Sequence, residues 1–244
     1  MGQVRILGTR VDNITGEETL DRIESFILEG APRQIVTVNP EFMVMAQRDH
    51  GFRDILNAAD LALPDGVGLL WASRLLGKPL RERVAGSDLV YRIAQRAAAR
   101  GYSLYLLGAG PGIGQEASER LRARYPGLPI AGVYAGSPAA DEEEGIINRI
   151  RTASPQVLLV AYGAPAQDRW IHRNLGRLGV PVSMGIGGAL DFVSGKVERA
   201  PQWIQNLGLE WLFRLVQEPW RWRRMLRLPR FALMVLRQRI WQNS

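Results

Sequence analysis

The sequence predicts an α/β protein that is Rossmann-like, with a mostly parallel sheet flanked by helices and a C-terminal amphipathic helical appendage. Three observations lead to this prediction. Short apolar segments alternate with helical patterns along residues 1–195. Glycines and polar residues cluster directly after the segments that are predicted as strands. Residues 196–244 differ in composition and are rich in arginine and tryptophan. We therefore divide the chain into a body, residues 1–195, and an appendage, residues 196–244.

The first third of the body contains several helix-start signals. Thr15, followed three residues later by Glu18, forms a capping box for the first helix. Asn39 supplies an N-cap before a first-turn proline. Ser87 is expected to cap a later helix. Strands are predicted at residues 4–7, 34–38 and 61–63, and helices at residues 15–28, 67–76 and 87–99.

The rest of the body repeats the strand–helix pattern more clearly. Strands are predicted at residues 103–107, 129–134, 157–162 and 180–184, with helices ending at residues 124, 151 and 175. Strands separated by helices form right-handed crossovers and a parallel sheet. Ligands bind such sheets at the carboxyl ends of the strands. The unusual residues fall at those ends: Thr37, Asn39, Asp65, Gly108–Gly114, Gly136, Gly163 and Gly187–Gly188.

Composition excludes several classes of protein. The 244 residues contain no cysteine, which rules out disulfide scaffolds, thiolate metal sites and cysteine nucleophiles, and fits a reducing compartment. Two histidines cannot form a His-rich metal centre. The first ten residues lack the pattern of a signal peptide. No apolar run approaches the ~18 residues that a membrane span needs. We therefore expect a cytoplasmic protein.

The glycine-rich turn at Gly108–Gly114 lies between a predicted strand and a predicted helix. Such turns let the backbone approach a phosphate, and the helix N-terminus adds unpaired N–H groups. A dinucleotide site also needs an acidic residue about 20 residues later. None occurs between Glu119 and Asp141. The pattern favours a nucleoside diphosphate without hydride chemistry, and glycines that serve only the turn remain the alternative.

A metal-assisted diphosphate site usually requires clustered carboxylates. No Asp-x-Asp occurs in the chain, so we expect no metal and no cofactor, with arginines neutralising the diphosphate. Asp65 follows a predicted strand. It is either the N-cap of the next helix, a catalytic base at the ligand crevice, or both.

The appendage combines positive charge with aromatic side chains. Residues 201–244 hold eight arginines against two glutamates, and five of the seven tryptophans. Pro219 predicts a helix break there. Tryptophan and arginine at helical spacing, with too little apolar length to span a bilayer, are typical of an interfacial helix on an anionic membrane. Packing on the body or in a homo-oligomer, and nucleic-acid binding, are the alternatives; we expect no nucleic acid.

Several motifs together give the chain a family resemblance. They are Thr37–Glu41 (TVNPE), Ala59–Gly68 (ADLALPDGVG), Arg81–Asp88 (RERVAGSD), Leu106–Ala109 (LLGA), Gly163–Asp168 (GAPAQD), Met184–Gly188 (MGIGG), Gly195–Pro201 (GKVERAP) and Gly208–Arg221 (GLEWLFRLVQEPWR). With these motifs the chain resembles the WecG/TagA/CpsF family of bacterial glycosyltransferases along nearly its whole length.

The resemblance implies an inverting, metal-independent transfer of an N-acetylhexosamine, N-acetylmannosamine or its uronic acid, from UDP. The acceptor would be undecaprenyl-diphosphate-linked N-acetylglucosamine at the inner face of the cell membrane, in teichoic acid or surface polysaccharide synthesis. Asp65 would be the general base, with Thr37 beside it. The resemblance assigns substrate binding to Asn39, Arg83, Gly108, Gly110, Gly136, Gln167, Gly187, Gly188, Asp191, Arg214, Arg221 and Arg224.

Two other functions remain open on the residues alone. One is a membrane-anchored protein that binds a nucleotide sugar without catalysis, which would tolerate the loss of Asp65. The other is a nucleotide-dependent oxidoreductase, which would bind NADH.

Overall fold

The computed structural model describes residues 2–201, 203–204, 209–219 and 222–242, and it confirms the predicted α/β class. The strands are β1 (Gln3–Ile6), β2 (Thr9–Asp12), β3 (Arg33–Val38), β4 (Leu61–Pro64), β5 (Leu104–Gly108), β6 (Ile130–Tyr134), β7 (Val157–Ala161) and β8 (Val182–Gly185). The helices of the body are α1 (Gly16–Glu29), α2 (Pro40–Ala46), α3 (His50–Ala58), α4 (Val67–Leu75), α5 (Gly86–Arg100), α6 (Ile113–Arg124), α7 (Ala140–Ala153), α8 (Ala166–Leu178) and α9 (Ala189–Val193).

Six strands form one sheet in the order β4-β3-β8-β7-β5-β6, and every neighbouring pair is parallel. Because the strands are parallel, their carboxyl ends all lie at one edge of the sheet. The register pairs Val38 with Pro64 on one side of that edge and Leu107 with Tyr134 on the other. The predicted ligand-binding ends of the strands are therefore neighbours in space.

The core occupies both faces of the sheet, because successive residues of each strand point to opposite sides. On β5, Leu104 and Leu106 pack with α1, α5, α6 and α9, whereas Tyr105 and Leu107 pack with α7 and α8. Under the β3–β4 end, a third apolar cluster joins α2, α3 and α4. The strands are buried on both faces, which is why they are apolar throughout instead of alternating.

A short antiparallel hairpin of β1 and β2 lies beside the edge strand β4, and β2 was not predicted. Asp12 explains how it is attached. This buried carboxylate accepts a hydrogen bond from the backbone N–H of Ala62 at 2.8 Å and pairs with Arg10. Arg10 also donates to the carbonyl groups of Ala59 and Asp60. The hairpin thus supplies a partner to a strand edge that would otherwise be open.

The capping predictions have mixed outcomes. Thr15 and Glu18 form both hydrogen bonds of a capping box, and Asn39 Oδ1 accepts from the N–H of Phe42 at 2.9 Å, as expected. The prediction for Ser87 is wrong, because Ala85 occupies the N-cap of α5 and Ser87 lies inside the helix. Asp65 is not the N-cap of α4 either, because Gly66 holds that position. Its carboxylate therefore does not cap α4.

The described part of the appendage contains α10 (Glu210–Gln217), α11 (Trp222–Met225) and α12 (Arg227–Gln242), so the break expected near Pro219 is present. Helix α12 packs on α2 and α4, and it buries Phe231 and Val235 in the same apolar cluster as those helices. Its opposite face leaves Leu233, Leu236 and Ile240 exposed. None of the helices in the described ranges is both long and apolar enough to cross a bilayer.

Candidate active site

The carboxyl ends of β4, β3 and β8, which are adjacent strands, bring three predicted residues together. Asp65 follows β4, Thr37 lies one residue before the end of β3, and Gly187 follows β8. The N–H of Asp65 donates to the carbonyl oxygen of Val38 at 2.7 Å, which holds the loop after β4 against β3. The predicted base is thus fixed at the ligand-binding edge of the sheet.

The Asp65 carboxyl group is enclosed by protein, although the residue as a whole keeps some solvent exposure. Burial raises its pKa to about 6, because the charged form loses hydration. The positive charge of Arg83 and a 3.3 Å hydrogen bond from the N–H of Gly86 to Oδ2 oppose that rise. Nearby negative charges on Glu210 and Asp88 add to it. A carboxylate with a pKa near neutrality is suited to accept a proton.

Thr37 contacts the same turn that binds Asp65. A Cβ atom placed on Gly86 would lie 3.2 Å from Thr37 Cγ2, so any side chain where α5 begins would require Thr37 to shift slightly. The Thr37 side chain is buried, and its hydroxyl lies 3.4 Å from the carbonyl oxygen of Gly185, to which it donates. Thr37 therefore links the turn beside Asp65 to the end of β8.

Gln167 organises the loop after β8 from the first turn of α8. Its buried side chain accepts a hydrogen bond from the N–H of Gly187 at 2.9 Å. A Cβ atom on Gly185 would lie 2.6 Å from Gln167 Nε2 and 2.7 Å from Asp168 Oδ1. The two side chains thus cover the end of the strand, and Gly185 leaves the space they need. Sequence analysis identified Gln167 but not its neighbour.

Asp168 is a second buried carboxyl group at this edge. Burial raises its pKa to about 7, while the Gln167 amide and its own N–H act in the opposite direction. The Gln167 amide is close, but among the described residues neither carboxylate oxygen has a partner in hydrogen-bonding geometry. At its backbone, Asp168 accepts a hydrogen bond from Gln34 Nε2 at 3.0 Å.

Gly188, Asp191 and Arg214 meet between the body and the appendage. A Cβ atom on Gly188 would lie 2.8 Å from Arg214 Nη2 and 3.1 Å from Asp191 Oδ2. The guanidinium carbon of Arg214 lies 4.7 Å from the ring centre of Phe192, and its Nε donates to Glu218 at 2.7 Å. The structure therefore brings a predicted appendage arginine to the glycine loop after β8.

The glycine-rich turn after β5 lies farther along the same edge. Gly108 has a φ of +96°, and a Cβ atom there would lie 2.8 Å from the backbone of Ala161, so the turn requires glycine. Lys196 approaches this turn, because its Nζ would lie 3.8 Å from a Cβ atom on Gly110. Gly136 has a φ of +50° directly beyond β6. Four strand spacings separate β4 from β5, which is about 19 Å at ~4.8 Å per strand.

Arg83 belongs to a group of four charged side chains that sequence analysis did not assemble. It donates to Glu210 at 3.2 Å and to Asp88 at 3.3 Å. Arg199 contacts the same two carboxylates, with Nε 3.5 Å from Glu210 and Nη1 2.5 Å from Asp88. Asp88, Arg199 and Glu210 were not assigned a role from the sequence, although they lie inside the motifs that carried the family resemblance. The spacing of these motifs does not show that such distant segments meet.

Arg224 is the second predicted arginine of the appendage that the structure describes. Arg224 forms a two-pronged ion pair with Glu41 in the first turn of α2, through Nε at 2.9 Å and Nη2 at 2.8 Å, and Arg227 contacts the same carboxylate. Arg214 therefore lies at the loop after β8, whereas Arg224 lies at the first turn of α2. Arg221 lies outside the described residues. Within the described ranges, no group of three or more His, Cys, Asp or Glu side chains is arranged to hold a metal ion.

Known proteins are similar to this chain along most of its length. The model of the glycosyl transferase WecG/TagA/CpsF family matches residues 4–244. An N-acetylglucosaminyldiphosphoundecaprenol N-acetyl-beta-D-mannosaminyltransferase of Bacillus subtilis is 36% identical over 204 residues, covering 84% of this chain and 79% of the relative. The Bacillus spizizenii protein of the same name is 37% identical over 203 residues, which cover 83% of this chain and 78% of the relative. A Staphylococcus aureus protein of that name is 31% identical over 93% of this chain and 88% of its own.

Proposed function

This chain belongs to the glycosyl transferase WecG/TagA/CpsF family, and we propose that it transfers N-acetylmannosamine from UDP to undecaprenyl-diphosphate-linked N-acetylglucosamine. The relatives named for this transfer support the choice of sugar and acceptor. The observation that carries the proposal is the enclosed Asp65 carboxyl group, with a pKa of about 6, at the ligand-binding edge of the sheet.

The proposed reaction is a single inverting displacement. The acceptor hydroxyl oxygen attacks the anomeric carbon of the donor sugar while its proton passes to a carboxylate oxygen of Asp65. The bond between the anomeric carbon and the diphosphate oxygen breaks, and UDP leaves with the electron pair. Attack opposite the leaving group inverts the anomeric centre. Thr37 acts beside Asp65 through the turn at Gly86.

The donor is proposed to lie along the edge of the sheet. Its sugar occupies the ends of β4, β3 and β8, near Asn39, Arg83 and Gln167, and its nucleotide follows the glycine turns toward β5 and β6. The separation of about 19 Å between strands β4 and β5 suits an elongated ligand of this kind. Gly187, Gly188 and Asp191 lie between these two ends.

The positive charge that neutralises the leaving diphosphate is proposed to come from arginines of the chain itself. Arg214 lies beside Gly188. Arg224 would leave its ion pair with Glu41 and bind a phosphate instead. The same role is assigned to Arg221 by the family resemblance. Cationic donors aimed at a developing anion stabilise the transition state without a metal. We expect transfer to continue at an unchanged rate in excess EDTA, and a loss that Mg²⁺ restores would contradict this part of the proposal.

The site of action is proposed to be the inner face of the cell membrane, with the appendage bound peripherally. The lipid-linked acceptors named for the relatives support this location. Exposed apolar side chains at Trp211, Leu212, Trp222, Leu236 and Trp241 give the appendage a surface that can insert among lipid headgroups.

The decisive test is an assay with UDP-N-acetylmannosamine and a detergent-soluble, short-chain lipid diphospho-N-acetylglucosamine, with the disaccharide product detected by mass. Asp65→Asn is expected to lower kcat by roughly 10²–10⁴-fold, the usual contribution of a general base, while UDP binding by calorimetry is retained. The matched control is Asp54→Asn, on the exposed surface of α3. If Asp65→Asn turns over like the control, Asp65 is not the base. Donor binding by a wild-type protein that makes no product would favour a non-catalytic nucleotide-sugar-binding protein.

A further inference from the structure

The appendage contributes a carboxylate to the surroundings of the proposed base. Glu210 is the first residue of α10, more than 120 positions from Arg83, yet it lies 3.2 Å from that guanidinium group. Only about a fifth of each of these two side chains is exposed. The pair is therefore partly withdrawn from water. In such a place a charge interaction is stronger than at an open surface.

The four charged side chains form an alternating ring. Each carboxylate, Asp88 from the body and Glu210 from the appendage, contacts both guanidinium groups, those of Arg83 and Arg199. Arg83 is held from two sides through its two terminal nitrogens. Loss of one carboxylate leaves the guanidinium free to rotate toward the other. The orientation of Arg83 thus depends on a residue of each part of the chain.

Arg83 also has the strongest opposing effect on the pKa of the proposed base. Its positive charge lowers the proton affinity of Asp65, while Glu210 and Asp88 raise it. The two arginines are balanced by the two carboxylates of the ring, so Arg83 brings little net positive charge. This balance suits an arginine that orients the uncharged sugar and the base better than one that captures a phosphate.

We propose that Glu210, a residue of the appendage, is a positioning residue for the reaction at Asp65, acting through Arg83. The inference rests on the proposed transfer reaction. It assigns to the appendage a role in the chemistry that is separate from membrane attachment and from the arginines already named. Asp88 is the corresponding positioning residue of the body.

The test compares Glu210→Gln with Glu198→Gln, an equal loss of charge at an exposed residue of the segment before α10. Both are assayed with the short-chain acceptor in detergent, so that membrane attachment does not limit the rate. Glu210→Gln is expected to lower kcat roughly tenfold or more, as small misplacements of catalytic groups do, with a smaller change in the KM for the donor. Glu198→Gln is expected to match the wild type.

The pH dependence separates positioning from a merely structural role. Removing the negative charge of Glu210 lowers the proton affinity of Asp65, so the acidic limb of kcat/KM is expected to move to lower pH. Among the described residues, the charged groups that act on the pKa of Asp65 are Arg83, Asp88 and Glu210, together with the N–H of Gly86. Asp88→Asn is the second variant, and it is expected to shift the limb in the same direction even if Glu210→Gln folds poorly.

The outcomes are distinct. A wild-type protein without transferase activity contradicts the proposed function itself. An active wild type, together with a folded Glu210→Gln variant that matches Glu198→Gln in kcat and in the acidic limb, overturns the role of Glu210 alone. A lower kcat with an unshifted limb in both ring variants also overturns it, because a weakened contact between appendage and body has that effect.

Discussion

At the scale of single residues, the main feature is the carboxyl group of Asp65, whose pKa is raised to about 6 by burial. The proposed general base must be ionised to accept a proton, so kcat/KM, measured over pH 4.5–8.5, is expected to rise with pH through about 6 and then level off. An acidic limb near the ordinary carboxyl value of 3.8 would contradict the enclosed site. Asp168, with its pKa near 7, lies close enough to Gln167 for its protonation to contribute to the same limb.

The same residue makes a prediction about stability. Folding raises the pKa of Asp65 above its unfolded value. Its stabilising contribution to the free energy of unfolding is therefore complete below about pH 3.8 and is lost as the pH rises through about 6. At pH 8 the enclosed charge costs up to about 3 kcal/mol, from roughly two pKa units at 1.36 kcal/mol each. Asp65→Asn is therefore expected to raise the free energy of unfolding in urea at pH 8 but not at pH 4, and Asp54→Asn at neither pH.

At the scale of elements, the C-terminal helix is attached to the body by a small number of apolar side chains. Phe231 is 2% exposed and lies in the cluster shared with α2 and α4, whereas Leu233, two residues on, is 51% exposed. Phe231→Ala is expected to lower the free energy of unfolding by about 3 kcal/mol, the usual cost of removing a buried aromatic side chain. Leu233→Ala on the same helix is expected to change it little. Equal effects would mean that α12 does not pack as described.

Elements that depend on local signals could be predicted from the sequence, and those that depend on distant contacts could not. Thr15 and Asn39 cap their helices because the partner N–H lies three residues away. The prediction for Ser87 failed because the turn before α5 is held by contacts from other segments, including the bond from Gly86 to Asp65. Strand β2 was missed because its polar residues bind the distant strand β4.

The candidate site follows the same division. The positions of Asp65, Thr37 and the glycine turns follow from the rule that parallel strands bind ligands at their carboxyl ends. The ring that includes Glu210 joins residues separated by more than 100 positions, and no periodicity encodes such a contact. The pairing of Arg224 with Glu41 could not be predicted for the same reason.

At the scale of the whole molecule, exposed apolar side chains are concentrated in the appendage, where the arginines are also found. We expect the full chain to bind vesicles containing phosphatidylglycerol more tightly than phosphatidylcholine vesicles, with binding weakened by salt. Replacing Trp222 and Trp241 by serine is expected to reduce the bound fraction in a sedimentation assay. Leu28→Ser, at a residue of the body that is 80% exposed, is the control and is expected to leave it unchanged.

The seating of α12 on α2 has a geometric consequence. Helix α2 begins at Pro40, directly after Asn39 at the carboxyl end of β3, so two packed helices connect the outer face of α12 to the proposed reaction centre. If that outer face rests on the bilayer as proposed, the two helices work as a spacer that sets the height of the reaction centre above the lipid headgroups. An acceptor sugar is held at its own fixed height by the diphosphate that joins it to its lipid. If these two heights must match, the protein would select acceptors by the length of that linkage, independent of any contact with the sugar.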